Sequence, residues 1–518
     1  MDRIRIKKDD NAAIISSKLH GQFIEFLGEC LQDGIWVGED SVIPNYNGFR
    51  KDAVDALKKL GVPVLRWPGG CYADKYHWRD GIGPRKDRPV TYNENFNTFE
   101  MEKNQFGTHE FMELCQMVGA EPWLNINMLT GTVAEAAEWF GYCNRKEDTS
   151  LTKERAANGS NAPFDVKYWG IGNESWGGGG MYTPQSYMAD YRKFATGMPT
   201  FKKAGPDGLE GPEMKFIAVG PDGNKPEERV QWTKQLFDSF GEFRQPKLDA
   251  LDLHFYNWNI KNPKDKVLSF DEDGWYGVLH GSMEIEEVIK EQYQLIQEGL
   301  NKIARPTEDY FYQEPQCELY IGEWGNWHME AFFAKPALYQ QCTLRDALTT
   351  AITLDIFHRN CDILKLACVA QTINVLNSII LTEGETTILT PNYYVFEMYK
   401  VHRDAARMLC ETETSPAYEK DGIAVDGIYS FASEKEGIIS LNIINADMEK
   451  ARDIELSFEE ALIYREGTVL NGDSVMEYNS KEHPFSVLPK KADSPSGSGN
   501  TWKATVPPAS ISVYHFEK

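Results

Sequence analysis

The chain is short of the features that mark several large protein classes. Nine cysteines in 518 residues are scattered, odd in number and form no Cys-x-x-Cys pair. That argues against a disulfide framework. Ten histidines include no His-Glu-x-x-His, so no metal site is expected. No apolar stretch approaches the ~20 residues of a membrane span. The opening Met1-Asp2-Arg3-Ile4-Arg5-Ile6-Lys7-Lys8 has no apolar signal region behind its charges. A soluble, cytoplasmic protein is the expectation. Positive charge is in deficit: 54 basic residues face 78 acidic ones, for a net −24. This disfavours nucleic acid and anionic membrane as partners and suits a neutral substrate. No Gly-x-Gly-x-x-Gly follows the first apolar run, and there is no internal repeat or long low-complexity segment.

What is present is a core-forming composition, 42% hydrophobic and 25% charged, in a chain long enough for two or three domains. From about residue 20 one pattern recurs: a short apolar run, then an amphipathic helix. The runs are residues 21–25, 62–67, 121–125, 165–170, 215–219, 250–255, 318–321 and 364–369. Residues 47–60 carry Ala53, Val54, Leu57 and Leu60 on one face and stop at Gly61. Thr108 is positioned to cap a helix holding Phe111, Leu114, Cys115 and Val118. Eight strands alternating with helices point to a (β/α)8 barrel, with a doubly wound sheet as the alternative. After about residue 397 the texture becomes β. Residues 422–425, 437–444 and 510–514 read as strands of an antiparallel, jelly-roll-like sandwich, which the strand-like residues 4–15 could complete. Ser494 to Asn500 reads as a flexible loop. The expected division is residues 1–18 joining the sandwich, 19–397 a catalytic barrel, and 398–518 the C-terminal sandwich.

Two apolar, aromatic runs end in a carboxylate: Tyr168-Trp169-Gly170-Ile171-Gly172-Asn173-Glu174 and Leu319-Tyr320-Ile321-Gly322-Glu323. Counted along the pattern, they follow strands four and seven. Active residues of such barrels sit at the carboxyl ends of the strands, so both glutamates are expected at one mouth. Cleaving an acetal needs a proton for the leaving oxygen and support for an oxocarbenium-like centre. Two carboxyl groups about 5–5.5 Å apart supply both, with retention of configuration. Gly177 to Gly180 might suggest a phosphate loop, but no Lys-Ser/Thr follows, and a rim loop is the reading kept.

These motifs resemble the acid/base and nucleophile segments of the retaining glycosidase clan with catalytic glutamates on strands four and seven. The stretches Gly21-Gln22-Phe23-Ile24-Glu25-Phe26-Leu27-Gly28, Leu65-Arg66-Trp67-Pro68-Gly69-Gly70-Cys71-Tyr72, Asp80-Gly81-Ile82-Gly83-Pro84 and Ala370-Gln371-Thr372-Ile373-Asn374-Val375 are similar to glycoside hydrolase family 51. Most of its members are α-L-arabinofuranosidases, and the resemblance runs over nearly the whole chain. It implies Glu174 as acid/base and Glu323 as nucleophile. It implies sugar contacts from Glu25, Asn173, His254, Tyr256 and Gln371. Trp324 and Trp327 would offer apolar faces. The Cys71 position contacts sugar in relatives, where Asn is frequent; relatives with Cys there carry a second Cys for a disulfide. Here the matching stretch is Trp176-Gly177-Gly178-Gly179-Gly180, so a free thiol is expected. Phe26 stands where His is frequent. No cofactor or metal is implied, the substrate would be an arabinose-containing oligosaccharide, and a homo-oligomer, perhaps a hexamer, is suggested. The leading function is a retaining, exo-acting α-L-arabinofuranosidase. An endo-β-1,4-glucanase or β-xylosidase of the same clan is the alternative enzyme. A silent carbohydrate-binding protein is the alternative from another class, and retention of both glutamates speaks against it.

Overall fold

The computed structural model describes residues 1–199, 201, 203–205, 208–258, 265–303 and 315–518. Eight parallel strands close into a barrel in chain order: Gly21–Phe23, Val64–Trp67, Glu121–Ile126, Tyr168–Ile171, Lys215–Asp222, Ala250–Trp258, Glu318–Trp327 and Leu364–Val369. Nearly every residue of these strands is buried. A parallel strand covered on both faces cannot alternate with polar residues, which is why each reads as a continuous apolar run. The doubly wound alternative is set aside by closure of the barrel.

The local boundaries differ from the pattern in instructive ways. The first long helix is Lys51–Leu60, not 47–60. Residues 45–50 are a tight hairpin whose Tyr46 pairs with Phe49 across Asn47 (φ 51°) and Gly48 (φ 96°). Asn-Gly is the strongest signal for such a two-residue turn, and it outweighs helical periodicity there. Gly61 (φ 60°) closes the helix in the left-handed conformation, as expected. Thr108 is the first residue of its helix rather than its cap: the cap is Gly107, whose N–H donates to Glu110 Oε2 at 2.8 Å. The Thr108 hydroxyl instead accepts from Trp139 Nε1. The fourth strand starts at Tyr168 because Asp165 has φ 53°, which no strand residue adopts. The seventh continues four residues past Glu323, to Trp327.

The C-terminal region is a ten-stranded arrangement. Its order is Pro489–Lys491, Ile463–Leu470, Ser510–Glu517, Ile438–Asn445, Ile428–Lys435, Ala406–Glu413, Asp2–Lys8, Arg452–Phe458, Thr501–Val506 and Ser496–Ser498. Strand Ala406–Glu413 pairs with Asp2–Lys8 over six residue pairs but with Ile428–Lys435 only at Ala406 and Arg407. That short corner divides the sheet into two layers. Inward residues of both, among them Ile4, Ile6, Leu441, Ile443, Ile454, Leu456 and Phe516, form one buried cluster. Three expectations change here. The amino-terminal strand ends at Lys8 and runs parallel to Arg452–Phe458, so the sandwich is not wholly antiparallel. Ile423–Asp426 pairs with Pro416–Lys420 in a separate two-stranded ribbon. Ser496–Ser498, within the segment read as a loop, is a short edge strand paired with Thr501–Val506.

The chain forms two compact units. One comprises Gly21–Phe255 and Val288–Glu323; the other comprises Met1–His20, Tyr256–Glu287 and Trp324–Lys518. In the second, a buried polar cluster joins His20, His358 and His402. His20 Nε2 and His358 Nε2 lie 2.9 Å apart, and His402 bonds Ser433 and Asn442. Asp355 accepts from Asn442 Nδ2 and Tyr399 Oη beside them.

Candidate active site

The glutamates read from the sequence meet within the first of these units. Glu174 follows the fourth strand and stands at φ 41°, in the left-handed region that a non-glycine residue rarely occupies. The turn is held from behind by Asp74, which is fully buried. Its Oδ2 accepts the Asn173 N–H at 3.0 Å and its Oδ1 the Met128 N–H at 2.8 Å. One carboxylate thus ties the chain after the third strand to the chain after the fourth. Burial pushes Asp74 up to about 7 against these backbone bonds.

Glu323 lies on the seventh strand, 7% exposed, with Oε1 accepting from Arg66 Nη1 at 2.8 Å. Arg66 is completely buried and stacks over the Phe23 ring. Its Nη2 donates to Asn173 Oδ1 at 2.5 Å. The same guanidinium therefore fixes the nucleophile candidate and the residue before the acid/base candidate, in the fork geometry that suits arginine. Asn173 is 2% exposed, and its Nδ2 has no partner among the described residues. A buried donor left unbonded calls for an acceptor such as a sugar hydroxyl.

His254, on the sixth strand, bridges the pair. Its Nδ1 is 2.9 Å from Glu174 Oε1 and 3.6 Å from Glu323 Oε1, and its Nε2 is 3.1 Å from Asp252 Oδ2. Burial disfavours its charge, but Glu323, Asp252 and Glu174 together outweigh that and raise it to about 10. It is an imidazolium donating on both sides. One donor atom each from Glu174, His254 and Glu323 lies within 4.8 Å of the others, the one such group among the described residues. With both ring nitrogens committed to carboxylates, this set is poorly suited to a cation. Glu174 is pushed above the usual carboxylate range by burial and by Glu323, against the His254 hydrogen bond.

Glu25, at the end of the first strand, is 3% exposed, and its Oε1 accepts from Tyr72 N–H and Asn95 Nδ2, both at 3.0 Å. Gly70 sits between it and Glu323. A Cβ there would meet Glu25 Oε1 at 3.0 Å and Glu323 Oε1 at 3.1 Å, so glycine lets the two carboxylates approach. Cys71 Sγ lies 3.6 Å from Glu174 Oε2. Phe26 packs its ring against Trp67, Tyr72 and Tyr76.

Tyr256, Trp324, Trp327 and Gln371 belong to the other unit. Tyr256 and Trp327 meet edge to face, 5.0 Å between ring centres. Trp324 is 2% exposed and packs on Phe357 and Phe396. Gln371 follows the eighth strand, its backbone N–H bonded to Val375 O. The residues that sequence reading left unassigned are Arg66, Asp252, Asp74 and Asn95. Two carried a signal: Arg66 and Asp252 are charges inside the apolar runs 62–67 and 250–255. A charge in a strand buried on both faces needs a partner.

The chain is similar to known proteins over nearly its whole length. The model of the α-L-arabinofuranosidase 1 domain matches residues 56–273, and that of the α-L-arabinofuranosidase C-terminal domain matches residues 322–510. The chain is 37% identical over 514 residues to an intracellular exo-α-L-arabinofuranosidase of Bacteroides ovatus, covering 98% of this chain and 94% of that protein. The crystal structure of the family 51 arabinofuranosidase from Xanthomonas axonopodis pv. citri matches over the whole of both chains with a TM-score of 0.89 at 31% identity. The α-L-arabinofuranosidase of Thermotoga maritima, solved as an arabinose complex, matches over both whole chains at 0.82 and 28%. With barrel, sandwich and paired glutamates in place, the chain belongs to glycoside hydrolase family 51, the α-L-arabinofuranosidase family.

Proposed function

We propose that this chain is an exo-acting α-L-arabinofuranosidase that releases terminal arabinofuranosyl groups from arabinoxylan- or arabinan-derived oligosaccharides by retaining double displacement. The observation that carries the mechanism is the carboxyl pair, with an oxygen of Glu174 and one of Glu323 within 4.8 Å. Inverting enzymes hold their carboxyl groups ~6.5–9.5 Å apart to seat a water, retaining ones ~5–5.5 Å apart. In this reading Glu323, oriented by Arg66, attacks the anomeric carbon. Glu174, its carboxyl pushed above the usual range by burial and by Glu323, gives its proton to the leaving oxygen. It then takes a proton from the water that cleaves the glycosyl ester. Asn173 Nδ2 and Glu25 bind sugar hydroxyls, with His254 and Cys71 completing the contacts from this unit. Relatives matched over nearly the whole chain bear the arabinofuranosidase name, which favours this substrate over β-glucan or β-xyloside.

Proton NMR of the first product from an aryl α-L-arabinofuranoside tests the reading. Retained anomeric configuration is expected. An inverted first product, or turnover of β-xyloside and β-glucan but not the arabinoside, would overturn it. We further read residues 19–397 as the catalytic domain, with 1–18 joining the 398–518 sandwich. The barrel strands, which fall between Gly21 and Val369, support that division. A cytoplasmic homo-oligomer completes the proposal, and native mass by light scattering tests its assembly, a hexamer being the expected state.

A further inference from the structure

The Glu174 carboxyl has two neighbours of different kinds, one on each oxygen. Oε1 is taken by the His254 imidazolium at 2.9 Å. His254 is a donor only, so in the acid form of Glu174 the carboxyl proton belongs on Oε2. The group beside Oε2 is the Cys71 thiol, with Sγ 3.6 Å away. A thiol is both a weak donor and a weak acceptor. Four carboxyl groups surround it: Glu174, Glu25, Glu323 and Asp74. With burial they push its pKa well above the usual thiol value, so it stays S–H and is neither nucleophile nor thiolate. Gly178 lies beside the thiol and leaves it room, since a Cβ there would stand 3.2 Å from Sγ.

We propose that Cys71 is a positioning residue for the acid/base, its thiol following Glu174 Oε2 through both protonation states. The inference rests on the reading of Glu174 as acid/base. In the acid form, Oε2–H turns between Sγ and the leaving oxygen. Once the proton has gone to the leaving group, Cys71 S–H donates to the Oε2 carboxylate. When water returns a proton to Oε2, the thiol reverts to acceptor. The thiol keeps its own proton throughout, and no electron pair moves at sulfur. A partner able to reverse its role steadies one oxygen without locking the carboxyl in either state. A fixed donor would favour the base form and hinder the first step.

The test compares pH profiles of kcat/KM for wild type, Cys71→Ala and Cys71→Ser, on an aryl arabinofuranoside with a poor leaving group and on its dinitrophenyl counterpart. The charged groups facing Glu174 in all three are His254, Glu323 and Asp222. Of the two bonds the thiol makes, the one it donates to the charged carboxylate is the stronger, so losing both raises the carboxyl pKa modestly. Cys71→Ala should therefore move the alkaline limb up by about half a pH unit. It should lower kcat about tenfold on the poor leaving group and little on the activated one, because general-acid demand follows leaving-group basicity. Cys71→Ser, whose hydroxyl also donates and accepts, should restore the limb. Gly178→Ala, whose Cβ would crowd the thiol, should reproduce the Ala effect in milder form. Superimposable limbs overturn the proposal. So does a raised KM with unchanged kcat, which would make Cys71 a sugar contact alone. Glu174→Ala with azide is the control. If azide restores turnover of the dinitrophenyl substrate while the Cys71 limbs coincide, this inference fails alone. If azide restores nothing, the acid/base reading itself falls.

Discussion

At the scale of single residues the site is organised by two cations that have little freedom. Arg66 joins Glu323 to Asn173, and His254 joins Glu323 to Glu174. His254 contacts both carboxyl groups, and Arg66 bonds Glu323 and the residue before Glu174, so the proposed nucleophile and acid/base are tied to one another. Glu323→Ala should abolish turnover of all arabinosides, because no glycosyl ester can form, while added azide yields product of inverted configuration. Chromatography and NMR of the azide product check this. Retention of most activity by the mutant would show that Glu323 had been given the wrong role. The two glutamates were legible because a carboxylate ended an apolar run. Of their cationic partners, His254 was named only as a sugar contact, and Arg66 was not assigned at all, although it broke such a run just as visibly. A buried charge advertises that it needs a partner, but one chain read alone does not say which strand supplies it.

At the scale of elements, the strand ends are positioned by side-chain bonds to loop backbone rather than by the barrel ladder. Asp74 is the clearest case, since it satisfies the N–H groups of Met128 and Asn173 and so supports the positive φ of Glu174. Asp74→Ala would leave two buried donors unbonded, at about 1–3 kcal/mol each. We expect a loss of ~2–6 kcal/mol in urea unfolding, together with a lower kcat as the proposed acid/base turn relaxes. Wild-type stability and kcat in this variant would refute the role. The elements themselves were legible to within a few residues because burial on both faces writes strands as apolar runs. The misplacements share one cause. At Asn47-Gly48, Asp165 and Gly107 the backbone conformation was set by a local turn or cap, which hydrophobic periodicity does not register. The ribbon Ile423–Asp426 was recognisable as a strand, but its pairing partner was not, because many polar-edged strands of that region could have accepted it.

At the scale of the whole molecule, the second unit contains titratable groups that take no part in the proposed chemistry. Burial raises Asp355 to about 7, against its bonds from Asn442 and Tyr399. Its unfolded value is near 3.8. Between these values the folded chain holds a proton that the unfolded chain releases. The resulting stabilisation is whole only below about pH 3.8, is already partly lost at pH 5, and is gone once the pH has risen through about 7. Asp355→Asn carries a neutral side chain at every pH. It should therefore gain a few kcal/mol relative to wild type at pH 8 and lose most of that advantage at pH 5. Parallel urea titrations at the two pH values measure it, and an equal difference at both would show that Asp355 is not held protonated. The histidines His20, His358 and His402 respond in the opposite sense. Burial lowers all three, so acid favours the unfolded chain through them, which is why the comparison is made between variants and not along one curve.

The strand Asp2–Lys8 lies between Ala406–Glu413 and Arg452–Phe458, bonded on both edges. On the ribosome this has a price in time. Its partners are made some 400 residues later. At ~5–20 residues per second, the strand waits on the order of 20–80 s with both edges open. An open edge is a template for any passing strand. The alternation Asp2, Ile4, Ile6 inward and Arg3, Arg5, Lys7 outward gives the waiting segment three cations within five residues on its exposed face. Those charges repel a second nascent copy of the same segment. They later meet Glu411, Glu413 and Glu455 across the finished sheet. The basic face thus serves the chain twice, first as a guard during synthesis and then as one side of a charge ladder.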